Sequence, residues 1–162
     1  IYAHELINDF GAKTLIRVGS CGSIQQNINI RDIILASAAC TDSNVNRMRF
    51  QGNDFSPVAS FDLLRQCYEN ACRSEQKVHV GNVFTTDRFY HEDPDYWKRW
   101  ARYGVLAIEM ETTALYTIAA QHNVRALTIL TVSDNIVSGE KVSAADREKT
   151  FTGMMELALS VL

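Results

Sequence analysis

The chain has 162 residues, 46% of them hydrophobic and 22% charged, with a formal net charge of -3 at pH 7. That length and apolar content suit one domain with a sizeable core. The mildly acidic balance argues against nucleic acid or an anionic membrane as partner, since both reward a concentrated basic surface, and no apolar run reaches the length that crosses a bilayer.

Residues 1–7 carry Tyr2, Leu6 and Ile7 at helical spacing with no capping residue before them, which predicts a helix that continues from an upstream segment. Residues 14–18 read as a strand that opens into a small-residue turn, Gly19-Ser20-Cys21-Gly22. A second strand is predicted over 30–39, with Asp32 at its start and a Thr41-Asp42-Ser43-Asn44 turn at its end. Residues 44–57 are polar and irregular, and their Arg47 and Arg49 alternate with Met48 and Phe50. Ser60 is placed to cap a helix in which Leu64, Tyr68 and Ala71 recur, and a strand follows over 78–84. After Pro94 come a helix with Tyr96, Trp97 and Trp100, a strand over 105–108, a helix through Leu115, Ile118 and Ala119, and a strand over 126–132. A last helix is predicted from Ser143, with Asp146 completing a near capping box and Arg147, Phe151, Met154, Ala158 and Val161 on one face. This order predicts a three-layer α/β fold with a mixed central sheet and helices on both faces, spanning 1–162 as one domain.

Three predicted strands deliver polar groups where their apolar signal stops, at the edge where α/β sheets bind ligands. Arg17 lies inside an apolar strand, so an anion must meet it, either a structural carboxylate or a tetrahedral oxyanion also held at Ser20 and the neighbouring backbone. Glu109 and Glu111 either grip a sugar diol or stabilise a helix N-terminus, and they share a direction only if strand geometry persists through Met110. Asp134 reads as an Asx-turn former or as a proton donor partnered by Arg147, which otherwise covers the core edge. Phe89 and Tyr90 are suited to base stacking or to the core. His4, His79, His91 and His122 have no metal-ligand spacing, so no metal is expected, and Ser20-Cys21 lacks an activating motif for covalent catalysis. Cys21, Cys40, Cys67 and Cys72 form no CxxC pair and read as reduced core thiols of a cytoplasmic protein.

The runs Ile16-Arg17-Val18-Gly19-Ser20-Cys21-Gly22, Thr41-Asp42-Ser43 with Asn46-Arg47, Gly81-Asn82-Val83-Phe84 with Phe89-Tyr90, Tyr103-Gly104-Val105-Leu106, Ile108-Glu109-Met110-Glu111 and Thr131-Val132-Ser133-Asp134 together resemble the bacterial DeoD-type purine nucleoside phosphorylases. The resemblance implies a nucleoside phosphorylase-like fold and reversible attack of phosphate on the anomeric carbon of a purine ribo- or deoxyribonucleoside. It implies phosphate binding by Arg17 and Ser20, ribose binding by Met110 and Glu111, and a base pocket of Cys21, Gly22, Phe89, Ile108 and Ser133. Asp134, assisted by Arg147, would protonate purine N7. It further implies a hexamer built from dimers, phosphate as co-substrate, and neither metal nor cofactor. The likeness covers the C-terminal two-thirds or so of the usual subunit, whose N-terminal segment supplies further phosphate ligands, so the chain by itself is expected not to sustain normal phosphorolysis. Asn135 stands where that family commonly has histidine, which leaves the reaction class intact and the preference between 6-amino and 6-oxopurines open. The alternatives are a uridine phosphorylase, for which residues 85–89 lack the pyrimidine-reading glutamine, a related nucleoside hydrolase, and a non-catalytic nucleoside-binding subunit.

Overall fold

Residues Ala126, Leu127, Thr128, Ile129, Leu130, Thr131 and Val132 are all buried, as a continuous apolar run is when its strand is covered on both faces. The computed structural model describes residues 1–143 and 152–162. Its strands are β1 (Thr14–Ser23), β2 (Ile33–Thr41), β3 (Val78–Thr85), β4 (Ala107–Glu109) and β5 (Arg125–Asn135). The helices are α1 (Tyr2–Asn8), α2 (Val45–Arg49), α3 (Phe61–Arg73), α4 (Tyr96–Ala101), α5 (Thr112–His122) and α6 (Thr152–Leu159).

The α/β fold with a mixed central sheet surrounded by helices is as predicted. Strand order is β1-β4-β3-β2-β5, and β5 returns to β1, so the sheet closes into a barrel. The pairs β1–β5, β2–β3 and β3–β4 are parallel, whereas β1–β4 and β2–β5 are antiparallel. Closure rests on two residue pairs, Gly22↔Ile108 and Ser23↔Ala107, a feature that element order alone does not reveal.

Alternation along the strands divides the core. Ile33, Leu35, Leu63, Cys67, Ala71, Leu127, Ile129, Met154 and Leu157 pack α3 and α6 against β2 and β5. Ile34, Ala36, Leu130 and Val132, from the opposite faces of the same strands, join Cys21, Val83 and Ala107 in a second cluster. In a third, Trp100 stacks on Phe84 with ring centroids 4.0 Å apart, fixing α4 over β3.

Four local expectations are corrected. The irregular segment contains α2, and Cys72 is exposed rather than in the core because it lies on the outer face of α3. Tyr2 and Leu6 of α1 are exposed, so their spacing does not mark a covered face among the described residues. Ser60 precedes α3 without a side-chain cap bond; its hydroxyl instead accepts the Ala126 N–H at 2.9 Å, where β5 begins. Met154 and Val161 are buried as the last helix predicts, whereas Asp146, Arg147 and Phe151 lie outside the described residues.

Tyr116 of α5 holds β2 and β5 together where their ladder ends. Its hydroxyl donates to the Ala36 carbonyl at 2.6 Å and accepts the Thr128 N–H at 2.9 Å, and those two residues face each other across the strands. Burial pushes the phenol up to about 12, which keeps it a donor. Tyr116→Phe leaves a buried carbonyl and a buried N–H unpaired, and is expected to lower stability by about 1–3 kcal/mol. Urea unfolding checks this through a lower midpoint at unchanged slope.

Asp32, just before β2, accepts hydrogen bonds from Lys77 Nζ at 2.8 Å, the Asn29 N–H at 3.0 Å and His79 Nε2 at 2.9 Å. Burial raises its carboxyl, but these bonds outweigh burial and hold it below its ordinary value. A depressed folded pKa contributes stability that is present above the unfolded value of about 3.9 and lost as pH falls through the folded value. Asp32→Asn is therefore expected to flatten the fall in Tm below about pH 4, and an acid limb of unchanged steepness would contradict it.

Candidate active site

The small residues after Arg17 do not form a turn. β1 runs straight through Gly19, Ser20, Cys21 and Gly22 because β5 pairs with it along its whole length. The register slips between Cys21 and Gly22, which face Val132 and Asp134 and leave Ser133 unmatched. The glycines serve close approach instead: a Cβ on Gly19 would sit 2.6 Å from Arg17 Nη1, and one on Gly22 would sit 3.0 Å from Ile136 Cδ1. The Arg17 guanidinium therefore lies across Gly19, two residues along the same strand face.

Arg17 meets carboxylates at both terminal nitrogens. Nη2 donates to Glu111 Oε2, while Nη1, buried and without a hydrogen-bond partner, stands 3.8 Å from Glu109 Oε2. The two acids have different surroundings, because β4 ends at Glu109 and α5 starts at Thr112. Glu109 has a fully buried side chain that accepts from Thr85 Oγ1 at 2.5 Å and from the N–H groups of Glu111 and Thr112 at 3.0 and 2.9 Å. It stabilises the start of α5. Glu111 is 57% exposed and has a face open to solvent. Sequence reasoning did not single out Thr85, although its hydroxyl at a strand end was the available signal.

Gly22 occupies the rung between Ile108 of β4 and Asp134 of β5, so the backbone gathers residues from all three predicted strand ends. Ser133 is buried, and its hydroxyl donates to Asp134 Oδ2 at 2.6 Å while lying 3.2 Å from the Cys21 carbonyl. Asp134 is partly exposed, and Met110 and Ser20 are exposed, Ser20 on the rung of β1 that pairs with Thr131. Burial first, and then the charge of Glu109, push the Cys21 thiol up, which disfavours its thiolate. Asn135 closes the turn after β5: its side chain donates to the Ile28 carbonyl at 2.8 Å and accepts from the N–H groups of Val137 and Ser138, both at 2.9 Å.

The core reading of Phe89 and Tyr90 fails, since they are 74% and 88% exposed and meet each other edge-on at 5.0 Å. Arg147 lies outside the described residues. Among the described residues no group of three or more His, Cys, Asp or Glu side chains is placed to hold a metal ion.

The profile of the phosphorylase superfamily matches residues 1–162. The chain belongs to that superfamily. Within it, close homology is to DeoD-type purine nucleoside phosphorylases: 54% identity to that of Caldanaerobacter subterraneus subsp. tengcongensis, over 99% of this chain and 69% of the relative. Identity is 57% to that of a Geobacillus species, over 98% and 67%, and 55% to that of Clostridium novyi, over 99% and 69%. The chain thus spans about two-thirds of the length of these superfamily members.

Replacing Gly19 by Ala forces the Arg17 guanidinium aside, because the clash is with the far end of a flexible side chain and not with backbone. With Arg17 as the phosphate ligand that the family resemblance implies, Gly19→Ala is expected to lower stability by about 1 kcal/mol, because the guanidinium is moved off the buried Glu109, and to weaken binding of inorganic phosphate by about tenfold. Thermal unfolding and isothermal calorimetry, run side by side, check the two halves.

Proposed function

We propose that this chain serves reversible phosphorolysis of purine ribo- and deoxyribonucleosides, releasing the purine and the sugar 1-phosphate, in combination with the further phosphate ligands that the family resemblance implies. The observation that carries this reading is the Arg17 guanidinium laid across Gly19 between a buried Glu109 and an accessible Glu111, in a chain 54–57% identical to the three purine nucleoside phosphorylases above.

In this reading, Arg17 and Ser20 bind phosphate. The anion takes Nη2 from Glu111, and the freed carboxylate accepts hydrogen bonds from the ribose hydroxyls. Glu109 keeps its backbone and Thr85 partners, so the guanidinium stays anchored while Glu111 turns away. Met110 lines the sugar, and Cys21, Gly22, Ile108, Ser133 and Phe89 surround the base. A phosphate oxygen forms a bond to the anomeric carbon as the bond to purine N9 breaks. The electron pair leaves with the base, and Asp134, assisted by Arg147, supplies a proton to N7. The Ser133 hydroxyl on Asp134 Oδ2 orients that carboxyl toward its task. No cofactor enters this scheme, and phosphate is a co-substrate.

Assembly as a hexamer built from dimers and a cytoplasmic location complete the proposal. Exposed apolar side chains such as Tyr2, Phe10 and Tyr103 offer contact area, and no helix among the described residues is long and apolar enough to cross a membrane. Light scattering tests the first, with six copies expected and a stable monomer contradicting it.

Asp134→Asn should slow phosphorolysis of adenosine by about 100-fold or more, while a 7-methylated purine nucleoside, already activated as a leaving group, should lose about tenfold or less. Initial rates with the two substrates decide the matter, since equal losses would assign Asp134 to pocket organisation rather than proton transfer.

A further inference from the structure

We infer that Asp42 is a positioning residue for base binding, acting through Thr86 on the loop that presents Phe89; this rests on the nucleoside-binding reading above. β2 and β3 are parallel and in register at their ends, where Thr41 faces Thr85. The first residues beyond them, Asp42 and Thr86, therefore emerge side by side at the edge that carries Arg17's two acids.

The Asp42 carboxylate spans the gap with both oxygens. Oδ2 accepts from Thr86 Oγ1 at 2.9 Å, and Oδ1 accepts the Asp87 N–H at 3.2 Å. Thr86 is only 2% exposed, and its oxygen in turn accepts the Arg88 N–H at 3.2 Å, with His91 Nε2 at 3.4 Å. His91 stacks on Tyr96 with centroids 3.4 Å apart and planes inclined by 11°. Burial, and then the negative charge of Asp42, hold the Tyr96 phenol above its usual value. At this same end the loop is also tied to β4 by the Thr86 N–H, which donates to the Glu109 carbonyl at 3.0 Å.

Phe89 is carried three residues beyond Thr86, mostly in solvent. A large aromatic ring in that setting has no core to hold it, and the bonds converging on Asp42 and Thr86 fix the backbone from which it projects. Charge-assisted acceptance by Asp42 is the stronger contact in that set, because the carboxylate receives a hydroxyl and an amide together. Without it the turn samples more conformations, and stacking must bear the cost of reordering the ring.

Calorimetric titration of the protein with adenine and, separately, with inorganic phosphate tests this. Asp42→Ala should raise the Kd for adenine by about five- to tenfold and leave that for phosphate within about twofold, with Asp42→Asn between Ala and the unmodified chain. In a Phe89→Ala background the Asp42→Ala effect should vanish, since the two residues act as a unit. Amide hydrogen exchange at Asp87, Arg88 and Phe89 should speed up in Asp42→Ala. Equal weakening of adenine and phosphate, full additivity with Phe89→Ala, or unchanged exchange would each overturn the proposal, as would failure of the unmodified protein to bind adenine. Binding of both ligands without phosphorolysis would instead sink the catalytic reading and leave the role of Asp42 decided by the variants.

Discussion

A guanidinium on an otherwise apolar strand must be met by anions, and Arg17 is met by two of unequal standing. Glu109 is committed to the fold by its bonds to Thr85 and to the first N–H groups of α5. Glu111 makes its contact from the solvent side. Removing Glu109 would take away the acid that stands 3.8 Å from the buried Nη1 and free the start of a helix at once, whereas Glu111 can exchange Arg17 for another partner at low cost. In the proposed function, room for an incoming oxyanion at Arg17 depends on that asymmetry.

The closure of the sheet gives the asymmetry its geometry. Two rungs join β1 to β4, and they bring Gly22 between Ile108 and Asp134. Ser133, left unmatched by the register slip, turns its hydroxyl onto Asp134. Tyr116, far along the sheet, secures the opposite seam where β2 leaves β5. Small residues on β1 permit these approaches by leaving space for Arg17 and Ile136 to cross the strand.

The succession of strands and main helices along the chain and the polar ends of three strands were legible in the sequence because hydrophobic period and burial have the same cause. So was the tension at Arg17, which follows from the cost of an unpaired buried charge. The turn inferred at Gly19 to Gly22 was not correct, since small residues suit a turn and a close approach equally, and only pairing with β5 distinguishes them. The division between Glu109 and Glu111 depended on where β4 stopped, a boundary that local propensity fixes poorly. Thr85 and Asp42 gained their partners from the register of neighbouring strands, which no local pattern encodes.

The origin of the oxygen on the sugar product tests the central claim most directly, that Arg17 delivers phosphate, and not water, to the anomeric carbon. The protein would be given inosine and phosphate labelled with oxygen-18 at every position, and the products weighed by mass spectrometry. The account predicts a ribose 1-phosphate that retains the full label, including the oxygen bridging phosphorus and C1′. Free ribose bearing oxygen from the solvent, with the labelled phosphate left unesterified, would contradict it.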